Sequence, residues 1–473
     1  MSSKRSDAPP NEAACAADQK LPLHELVLTG LQHVLVMYAG SVAVALIVGY
    51  ALELPRSEIS YLIMADLLCA GVGTLIQSLG VSMVGIRMPV VMGSSFVTVG
   101  PMVAMASGGQ IGIAGIFGAT FASGVFGLLL VPYFTRLLKF FPPLVTGTVI
   151  TSIGLSLLPV GIKWAGGGAN AENFGAPIHL GLALFVLAVI LLINRFGRGM
   201  WVNVSVLLGL GIGYIAAALL GQVDLAGLDG RNWMEVVTPL HFGMLEFPIS
   251  GVLAMCIIMV VTLVESTGMF LALGEMVGKP VDRRRLSRGL YGDGAATLIS
   301  GVFNGFPHTS FSQNIGLVGM TGVTSRYVTV VSGVILLLLS LFPKAAFVVA
   351  SIPKPVLGGA GLVMFGMVAA AGLNILSKTD LSQRNNQLVI AVSLGCGMIP
   401  LAAPDFFAAL PQWTAPIVHS GILLTSVAAV ITNRALNGRT DDIDAAAERA
   451  ELESAAEDQA EATTPEHGSP GPR

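Results

Sequence analysis

Apolar runs of membrane-spanning length recur along almost the whole chain, and they restrict its fold more than any other feature. A helix of about twenty apolar residues is long enough to cross the hydrocarbon core of a bilayer. The composition agrees, with 53% hydrophobic and only 11% charged residues and a mean hydropathy of +0.77. We therefore predict an all-α polytopic membrane protein.

The chain begins with a polar stretch, and residues 1–25 are predicted to form a cytoplasmic N-terminal tail. The first apolar run, at 26–52, is too long for the hydrophobic region of a secretory signal. It also lacks a small-residue cleavage site. We expect no cleaved signal.

The hydropathy pattern predicts fourteen membrane segments, an even number that returns the C-terminus to the side of the N-terminus. The predicted segments are 26–52, 58–80, 90–107, 111–131, 142–162, 177–194, 200–220, 248–275, 288–305, 310–321, 326–350, 354–376, 386–402 and 413–433.

The distribution of Lys and Arg supports this number and the orientation. Of the 25 basic residues, twenty fall on the cytoplasmic side. The five on the outside are Arg56, Lys163, Arg231, Lys344 and Lys354. Because cytoplasmic loops carry an excess of Lys and Arg, we predict an inner-membrane protein with both termini in the cytoplasm.

Two pairs of segments resemble each other across the halves of the chain. Segments three and ten are short, are interrupted by Gly or Pro, and contain Phe96 and Phe311, 215 positions apart. Pro143 in segment five matches Pro355 in segment twelve, 212 positions later. Two copies of a seven-segment unit have opposite topologies, as in the inverted repeats of secondary transporters. The alternative is chance similarity in Gly-rich sequence, which two interrupted segments at corresponding places disfavour.

Residues 306–326 are the most polar stretch at membrane depth. Irregular backbone is tolerated there only where it packs in protein or lines a cavity, so this stretch is the predicted substrate site. Gln313 and Asn314 each present a donor beside an acceptor, which matches the N–H/C=O edge of a nucleobase or a cyclic urea. For Asn314, a hydrogen bond to nearby broken backbone is an equal alternative.

Segment three is expected to contribute a second wall of this site. Phe96 offers a stacking face and follows Ser94 and Ser95. Half-helices that begin near Val97 and Gly316 would point positive dipole ends at the crevice, which suits an anionic ligand.

Three carboxylates lie inside predicted segments, where each costs about 2.5–3.5 kcal/mol on insertion scales. Glu265 is the candidate for substrate binding and proton exchange, with a structural carboxylate as the alternative. Met269 follows it one helical turn later on the same face. Asp293 is open between proton coupling and a structural role, as a helix cap or a partner of segment ten. For Asp66 we expect a structural hydrogen bond.

A polar pair, Gln32 and His33, interrupts segment one. We expect His33 to orient segment three or ten through a hydrogen bond, with titration as the alternative. Gln32 is expected to support the site, together with Ser94, Gly316 and Thr321.

Other chemistries find little support in the sequence. It has no His/Cys/Asp cluster with metal spacing, no GxxxxGK[ST] phosphate loop and no nucleophile elbow, so we expect no metal, no cofactor and no enzymatic activity. The four cysteines are scattered, as packing residues are. The basic run 283–285 is predicted to lie in a cytoplasmic loop, as a topology signal or lipid contact and not a nucleic-acid site.

The sequence resembles the nucleobase–ascorbate transporter (nucleobase:cation symporter-2) family over roughly residues 20–435. The family signature (Q/E/P)-N-x-G-x-x-x-x-T-(R/K/G) is matched at each specified position by Gln313, Asn314, Gly316, Thr321 and Gly322. Further matches to the polar pair of segment one, the aromatic of segment three and the acids of segments eight and nine are Gln32-His33, Ser95-Phe96, Glu265 and Asp293.

The resemblance implies a 7+7 inverted repeat with short strands in segments three and ten, usually within a homodimer. It implies a core domain at 26–131 and 248–351 that moves against a gate domain at 132–247 and 352–435. Residues 436–473 are an acidic tail that we expect to be disordered.

Two positions narrow the substrate that the resemblance implies. Gln rather than Glu at 313 resembles the branch that transports xanthine and urate. Met269 stands where xanthine-transporting members typically carry Asp, which is similar to the bacterial urate-transporting subgroup. Urate is an anion at neutral pH, so the absence of a carboxylate here removes a like charge. Xanthine, alone or with urate, remains the alternative.

The resulting hypothesis is import of a purine, with urate first, by proton symport and an elevator-like movement. Phe96 would stack on the purine, Glu265 and Gln313 would bind its polar edges, and backbone N–H groups near Phe96 and Asn314 would bind its carbonyls. Protons would pass by Glu265, Asp293 and His33. The rivals are an anion transporter of the same architecture and, from other classes, a channel or an intramembrane enzyme.

Overall fold

Helices make up most of the computed structural model, which describes residues 16–107, 111–169 and 171–438. The strands are β1 (Met92–Ser94) and β2 (His308–Ser310). The helices are α1 (Leu23–Ala51), α2 (Arg56–Leu79), α3 (Val99–Ser107), α4 (Ile113–Leu130), α5 (Phe134–Leu137), α6 (Pro143–Ala165), α7 (Pro177–Phe196), α8 (Met200–Asn203), α9 (Ser205–Leu219), α10 (Ile249–Val277), α11 (Arg283–Phe303), α12 (Ser312–Thr321), α13 (Arg326–Leu339), α14 (Pro343–Ala350), α15 (Lys354–Leu376), α16 (Arg384–Ala402), α17 (Ala415–Val418) and α18 (Gly421–Asn437).

All fourteen predicted segments correspond to helical elements. Eight described helices are long and apolar enough to cross a membrane, and two bent pairs of helices raise the number to ten. The other four segments do not meet this criterion of helix length and hydropathy. Segments three and ten join a strand to a short helix, segment seven is the short pair α8 and α9, and segment nine is α11, which begins with three arginines. The predicted fold class of fourteen segments in a 7+7 inverted repeat is confirmed.

Segments eleven and fourteen are each bent, which the hydropathy pattern did not predict. Helices α13 and α14 meet at 85°, and Pro343 begins α14. Proline has no backbone N–H with which to continue the preceding helix. Residues 412–418 meet α18 at 70°, and α18 continues to Asn437, beyond the predicted end at 433.

Helix α11 begins earlier than predicted. Asp282 is its N-cap, and the Asp282 side chain accepts a hydrogen bond from the backbone N–H of Arg285 at 2.7 Å. Residues 283–285 therefore form the first helical turn and not a loop. An N-cap Asp satisfies one of the backbone donors that the start of a helix leaves free.

The two strands pair where the broken segments cross, and their register locates the repeat axis. Met92 pairs with Ser310, Gly93 with Thr309 and Ser94 with His308, antiparallel. The strands begin 216 positions apart, at residues 92 and 308, so Gly93 pairs with its own counterpart, as a two-fold axis requires. The predicted offset of 215 is wrong by one residue. The counterpart of Phe311 is Ser95, and each is the residue that precedes a half-helix.

The helices pack chiefly within two groups. In the first, α11 packs on α2 and α4, α10 on α4, and α13 on α1 and α2. In the second, α15 packs on α6, α7 and α9, and α18 packs on α16 and α6. The boundaries that we predicted for a core and a gate domain are consistent with this packing, and they stay a prediction.

Glycines allow the backbones of α6 and α15 to touch. A Cβ atom at Gly154 of α6 would lie 2.3 Å from the backbone N of Ala369, and one at Gly372 of α15 would lie 2.3 Å from the backbone N of Thr151. Small residues serve this purpose in membrane helices, where close approach supplies much of the packing energy.

The chain before α1 is held by Asp18. Its carboxylate accepts a hydrogen bond from Arg326 Nε at 2.6 Å and lies 3.5 Å from Lys279 Nζ. Partial burial opposes ionisation of Asp18, but the hydrogen bond from Arg326 and the charge of Lys279 outweigh it and lower its pKa. Residues 1–15 of the predicted N-terminal tail and 439–473 of the predicted acidic tail lie outside the described residues.

Candidate functional site

A cavity of about 230 Å³ lies where the two broken segments face α6 and α15. Its polar wall comes from Ser94–Val97, Thr309–Gln313, and Glu265 and Met269 of α10. Its apolar wall comes from α6 and α15, through Ile150, Ile153, Met367, Val368, Ala371 and Ile375. The cavity is smaller than the roughly 300–1,000 Å³ of pockets for drug-sized ligands, which suits a small ring compound.

The polar wall exists because each strand gives way to a helix at this point. The first backbone N–H groups of a helix have no partner within it. Here these are the N–H groups of Phe96 and Val97, in a 3₁₀ turn (Phe96–Thr98) that leads into α3, and those of Ser312 and Gln313 in α12. None of the four donates to a backbone carbonyl of the described residues. All four residues line the cavity. Two positive helix ends thus point at one small space.

Two details of this wall differ from the prediction. Helix α12 begins at Ser312, four residues before the predicted start near Gly316. As a result, Asn314 already lies in the first turn, and its backbone N–H donates to the Phe311 carbonyl at 3.1 Å. The free amides of segment ten are therefore those of Ser312 and Gln313, and not that of Asn314.

Three polar side-chain atoms of the cavity wall are buried without a hydrogen-bond partner among the described residues. They are one carboxylate oxygen of Glu265, Oε2, and the hydroxyls of Ser95 and Ser310. A buried polar group without a partner costs about 1–3 kcal/mol, and such groups are uncommon in folded proteins. All three face one cavity, where a polar ligand would complete their hydrogen bonding.

Glu265, Gln313 and Phe96, which the sequence analysis assigned to one crevice, all line this cavity. Gln313 is half-buried, and its Oε1 atom accepts a hydrogen bond from Ser312 at 3.1 Å. Phe96 is half-buried and meets Phe365 of α15 edge-on, with ring centroids 6.1 Å apart. The arrangement combines one carboxylate, one primary amide and one aromatic ring. It can bind a flat molecule that has several N–H and C=O groups.

A second cavity, of about 290 Å³, continues from the first. Both are lined by Phe96, Phe311, Gln313 and Met367. The second also reaches Gly316 and Met320 along α12, and Asn203 of α8. Gly316, predicted to support the site, therefore lines the continuation and not the first cavity.

Asn314 lies outside both cavities in this conformation. Its side chain is buried, and its amide group donates to the His33 carbonyl at 2.8 Å and lies 3.0 Å from His33 Nδ1. The pairing joins α12 to α1, as we expected of His33, and it favours the structural alternative for Asn314 over substrate contact. Gln32 is half-buried on α1, and neither it nor His33 lines the cavity.

Asp293 pairs with segment two, which is neither of the structural partners, a helix end or segment ten, that we had left open beside a role in proton coupling. It lies within α11, fully buried, and accepts a hydrogen bond from Gln77 Nε2 at 2.7 Å. The same Gln77 nitrogen donates to the Gly289 carbonyl at 2.8 Å. Asp293 is also close enough to Glu265 for their charges to interact. Sequence analysis missed Gln77, although an amide inside an apolar segment is a usable signal.

Asp66 makes the structural hydrogen bonds that we expected, within a network behind the strands. It accepts hydrogen bonds from Ser41 at 2.6 Å and from Ser94, and His308 Nε2 lies 3.6 Å away. All four side chains are buried. Ser94 is therefore engaged in the fold although it lines the cavity. The contact of His308 with Asp66 was not predicted from the sequence.

Thr321 does not reach the cavity. It closes the end of α12, where its hydroxyl donates to the Leu317 carbonyl at 2.8 Å. Within the described ranges, no group of three or more His, Cys, Asp or Glu side chains is arranged to hold a metal ion.

Comparison with protein families matches residues 24–406 to a model described as a permease family. A uric acid transporter, UacT of Escherichia coli, is 48% identical over 439 residues, covering 92% of this chain and 90% of that protein. A uric acid permease of Bacillus subtilis, PucJ, is 43% identical, covering 85% and 90%. The xanthine permease of Bacillus subtilis is 40% identical, covering 86% and 93%.

Among solved structures, similarity appears at much lower sequence identity. The transmembrane domain of the cyanobacterial bicarbonate transporter BicA has a TM-score of 0.58 at 14% identity, covering 88% of this chain and 100% of that one. The murine anion transporter Slc26a9, in an inward-facing state, has a TM-score of 0.59 at 13% identity, covering 88% and 70%. At such identities the similarity concerns the fold alone.

Proposed function

The chain belongs to the permease family, and we propose that it imports a purine, with urate as the preferred substrate, by symport with a proton. Its relatives at 40–48% identity are permeases of urate and xanthine. They are transporters and not enzymes, and the chain is likewise a multi-pass membrane protein. The choice among nucleobases rests on the site.

The observation that carries this proposal is the unpartnered Glu265 oxygen in a cavity shared with Gln313 and Phe96. A purine-dione offers a flat face for the ring of Phe96. Its N–H groups can donate to Glu265, and its adjoining N–H and C=O groups can pair with the Gln313 amide. Its carbonyls can accept from the free amides at Phe96, Val97, Ser312 and Gln313.

Met269 supports urate over xanthine as the first substrate. It lines the cavity one helical turn after Glu265. A carboxylate here would add a second negative charge near a urate anion, and in a low-dielectric site like charges a few ångströms apart repel strongly. Xanthine, which is mainly neutral, would suffer less. Transport of xanthine, alone or with urate, is the second candidate, which the xanthine permease relative favours.

The test is competition of urate, xanthine and uracil for uptake by wild type, Met269→Asp and Met269→Asn. We expect wild type to prefer urate. In Met269→Asp, the affinity for urate should fall at least ten-fold relative to xanthine, equivalent to about 1.4 kcal/mol. Met269→Asn is the matched control, because it has nearly the same shape without the charge, and it should keep the preference for urate.

Two results would contradict the proposal. Equal loss of urate uptake in the Asp and Asn variants would show that packing and not charge determines the preference. Transport of none of the three compounds by wild type in proteoliposomes would remove the purine assignment altogether.

The proposed coupling ion is the proton, with Glu265 as the group that binds it. Intramembrane carboxylates commonly lie on ion pathways, and Glu265 lies between the substrate cavity and Asp293. Asp293 is held by Gln77, so we assign it the second position on the proton path. His33 acts on α12 through Asn314. No cofactor enters this scheme; the proton gradient supplies the driving force.

An elevator-like movement is the proposed mechanism of transport. The polar wall of the cavity belongs to the predicted core and the apolar wall to the predicted gate. An apolar wall makes no directional bonds, so the core can slide along it with substrate bound. The proposed setting is a homodimer in the inner membrane with both termini in the cytoplasm, which the distribution of basic residues supports.

A further inference from the structure

A third cavity, of about 420 Å³, lies at the start of α11, away from the substrate site. Arg283, Arg284 and Arg288 line it together with Tyr291, and a turn that contains Met83 closes it. None of the described residues that line it is acidic. Folding alone does not favour three arginines around one concave space in which the described residues place no counter-charge.

Arg288 is the central residue of this cavity. Its Nε and Nη2 atoms are buried and have no hydrogen-bond partner within the part of the chain that the structure describes. The positive charges of Arg87, Arg284 and Arg285 are close enough to act on it. A partly buried guanidinium among like charges, with two buried nitrogens that make no hydrogen bond, is destabilising unless an anion accepts those hydrogen bonds.

The cavity lies at the N-terminal end of α11, and this end of the helix adds to the positive charge around the cavity. The first turn of this 21-residue helix contains no acidic residue, and the N-terminal end of a helix carries a partial positive charge. The nearby carboxylate of Asp282 accepts a hydrogen bond from a backbone N–H as the N-cap and does not line the cavity. Basic residues usually occur at the opposite end of a helix.

Backbone contacts hold the cavity in shape. The N–H of Gly85 donates to the Arg288 carbonyl at 2.8 Å, and the N–H of Ile86 donates to Gln77 Oε1 at 3.1 Å. Gln77 in turn binds the Gly289 carbonyl at 2.8 Å. The turn opposite the arginines is therefore fixed to α11 and to α2.

We propose that this cavity is a binding site for a phosphate-type oxyanion, either the headgroup of an anionic phospholipid or a soluble phosphate compound. A guanidinium donates two parallel hydrogen bonds to such an anion, and Arg288 has the free donors. The neighbouring apolar side chains of Val81 and Met83 are each 64% exposed, which suits the acyl region of a lipid beside its headgroup. The site is independent of the transported substrate.

The experiment uses the full-length protein in nanodiscs. Thermal stability is measured in phosphatidylcholine alone, in phosphatidylcholine with 30 mol% phosphatidylglycerol (roughly the charge density of an anionic leaflet), and in phosphatidylcholine with added inorganic phosphate. Affinity for phosphatidylglycerol is measured by native mass spectrometry. The variants are Arg288→Gln and Arg284→Gln. Arg284 is exposed, so its replacement leaves folding intact. Arg198→Gln, at an exposed arginine outside this cavity, is the matched control.

We expect phosphatidylglycerol to stabilise wild type and the Arg198→Gln protein, and each arginine removed from the cavity to lower the affinity about five-fold. Stabilisation by inorganic phosphate in phosphatidylcholine, lost in the same two variants, would identify a soluble ligand and also support the site. Equal responses of wild type and both cavity variants to each anion, or an equal loss in Arg198→Gln, would overturn the proposal.

Discussion

Ser94 and Ser310 end the two strands at positions related by the repeat axis, yet their hydroxyl groups have different surroundings. Ser94 donates to the buried carboxylate of Asp66. Ser310 has no partner and lines the cavity. The same residue type therefore serves the fold in one half of the protein and is free for a ligand in the other.

This difference predicts opposite effects of two alanine substitutions. Ser310→Ala should leave the thermal stability unchanged and weaken substrate affinity by about 0.5–1.5 kcal/mol, roughly two- to twelve-fold, because one hydrogen bond to the ligand is lost. Ser94→Ala should lower stability by about 1–3 kcal/mol, because a buried carboxylate loses a donor. Thermal unfolding and uptake kinetics measured on both variants check this. A stability loss in Ser310→Ala equal to that in Ser94→Ala would show that Ser310 is structural.

At this scale the sequence predicted the composition of the site better than its hydrogen bonds. Phe96 and Gln313 could be placed in one crevice because polar or aromatic residues in broken membrane segments have few other uses. Glu265 could be placed with them because a carboxylate inside the membrane commonly lies on an ion or substrate pathway. The partners of Asn314 and Asp293 could not be predicted. His33 and Gln77 lie more than 200 positions from them along the chain, and no local pattern specifies which helices meet.

Helices α6 and α15 show what limits prediction at the scale of elements. Their existence follows from hydropathy, and their similar starts at Pro143 and Lys354 follow from the repeat. The register in which Gly154 meets Ala369 could not be predicted from the sequence, since the chain is rich in glycine and many registers would place glycines in contact. The bends at residues 340–342 and 419–420 were missed for another reason: hydropathy averages over a break of a few residues.

The close contact predicts a position-dependent effect of adding a methyl group. Gly154→Ala should destabilise the protein by about 1–3 kcal/mol, because the new Cβ would lie 2.3 Å from backbone that cannot move aside. Gly366→Ala, in α15 itself, is the control, because a Cβ there meets nothing within 4 Å. It should be neutral or stabilising by up to about 1 kcal/mol, since alanine favours helix more than glycine does. Thermal unfolding of both variants tests this prediction. Equal unfolding midpoints for Gly154→Ala and Gly366→Ala would argue against this register of α6 and α15 in the membrane.

For the whole molecule, the inverted repeat is the feature that would let one site serve both sides of the membrane in the proposed mechanism. The two-fold axis passes through the pair Gly93 and Thr309, beside the cavity. The two half-helices therefore approach the ligand from opposite directions. The repeat could be predicted from the sequence. Its one-residue error arose because two phenylalanines were aligned that occupy different places: Phe96 follows the cap residue of its half-helix, whereas Phe311 is itself the cap of α12.

The proposed stoichiometry makes a prediction about energetics. A urate monoanion that enters with one proton transfers no net charge. A potential of 100 mV contributes about 2.3 kcal/mol for each charge moved, or about fifty-fold in accumulation, so electroneutral transport should lack this contribution. In proteoliposomes, urate accumulation should follow an imposed pH gradient and remain unchanged when a potassium diffusion potential is added. Liposomes without protein control for leakage. Accumulation that persists after the pH gradient alone is dissipated, or that rises about fifty-fold with 100 mV, would refute one-to-one symport and indicate another ion or more than one proton.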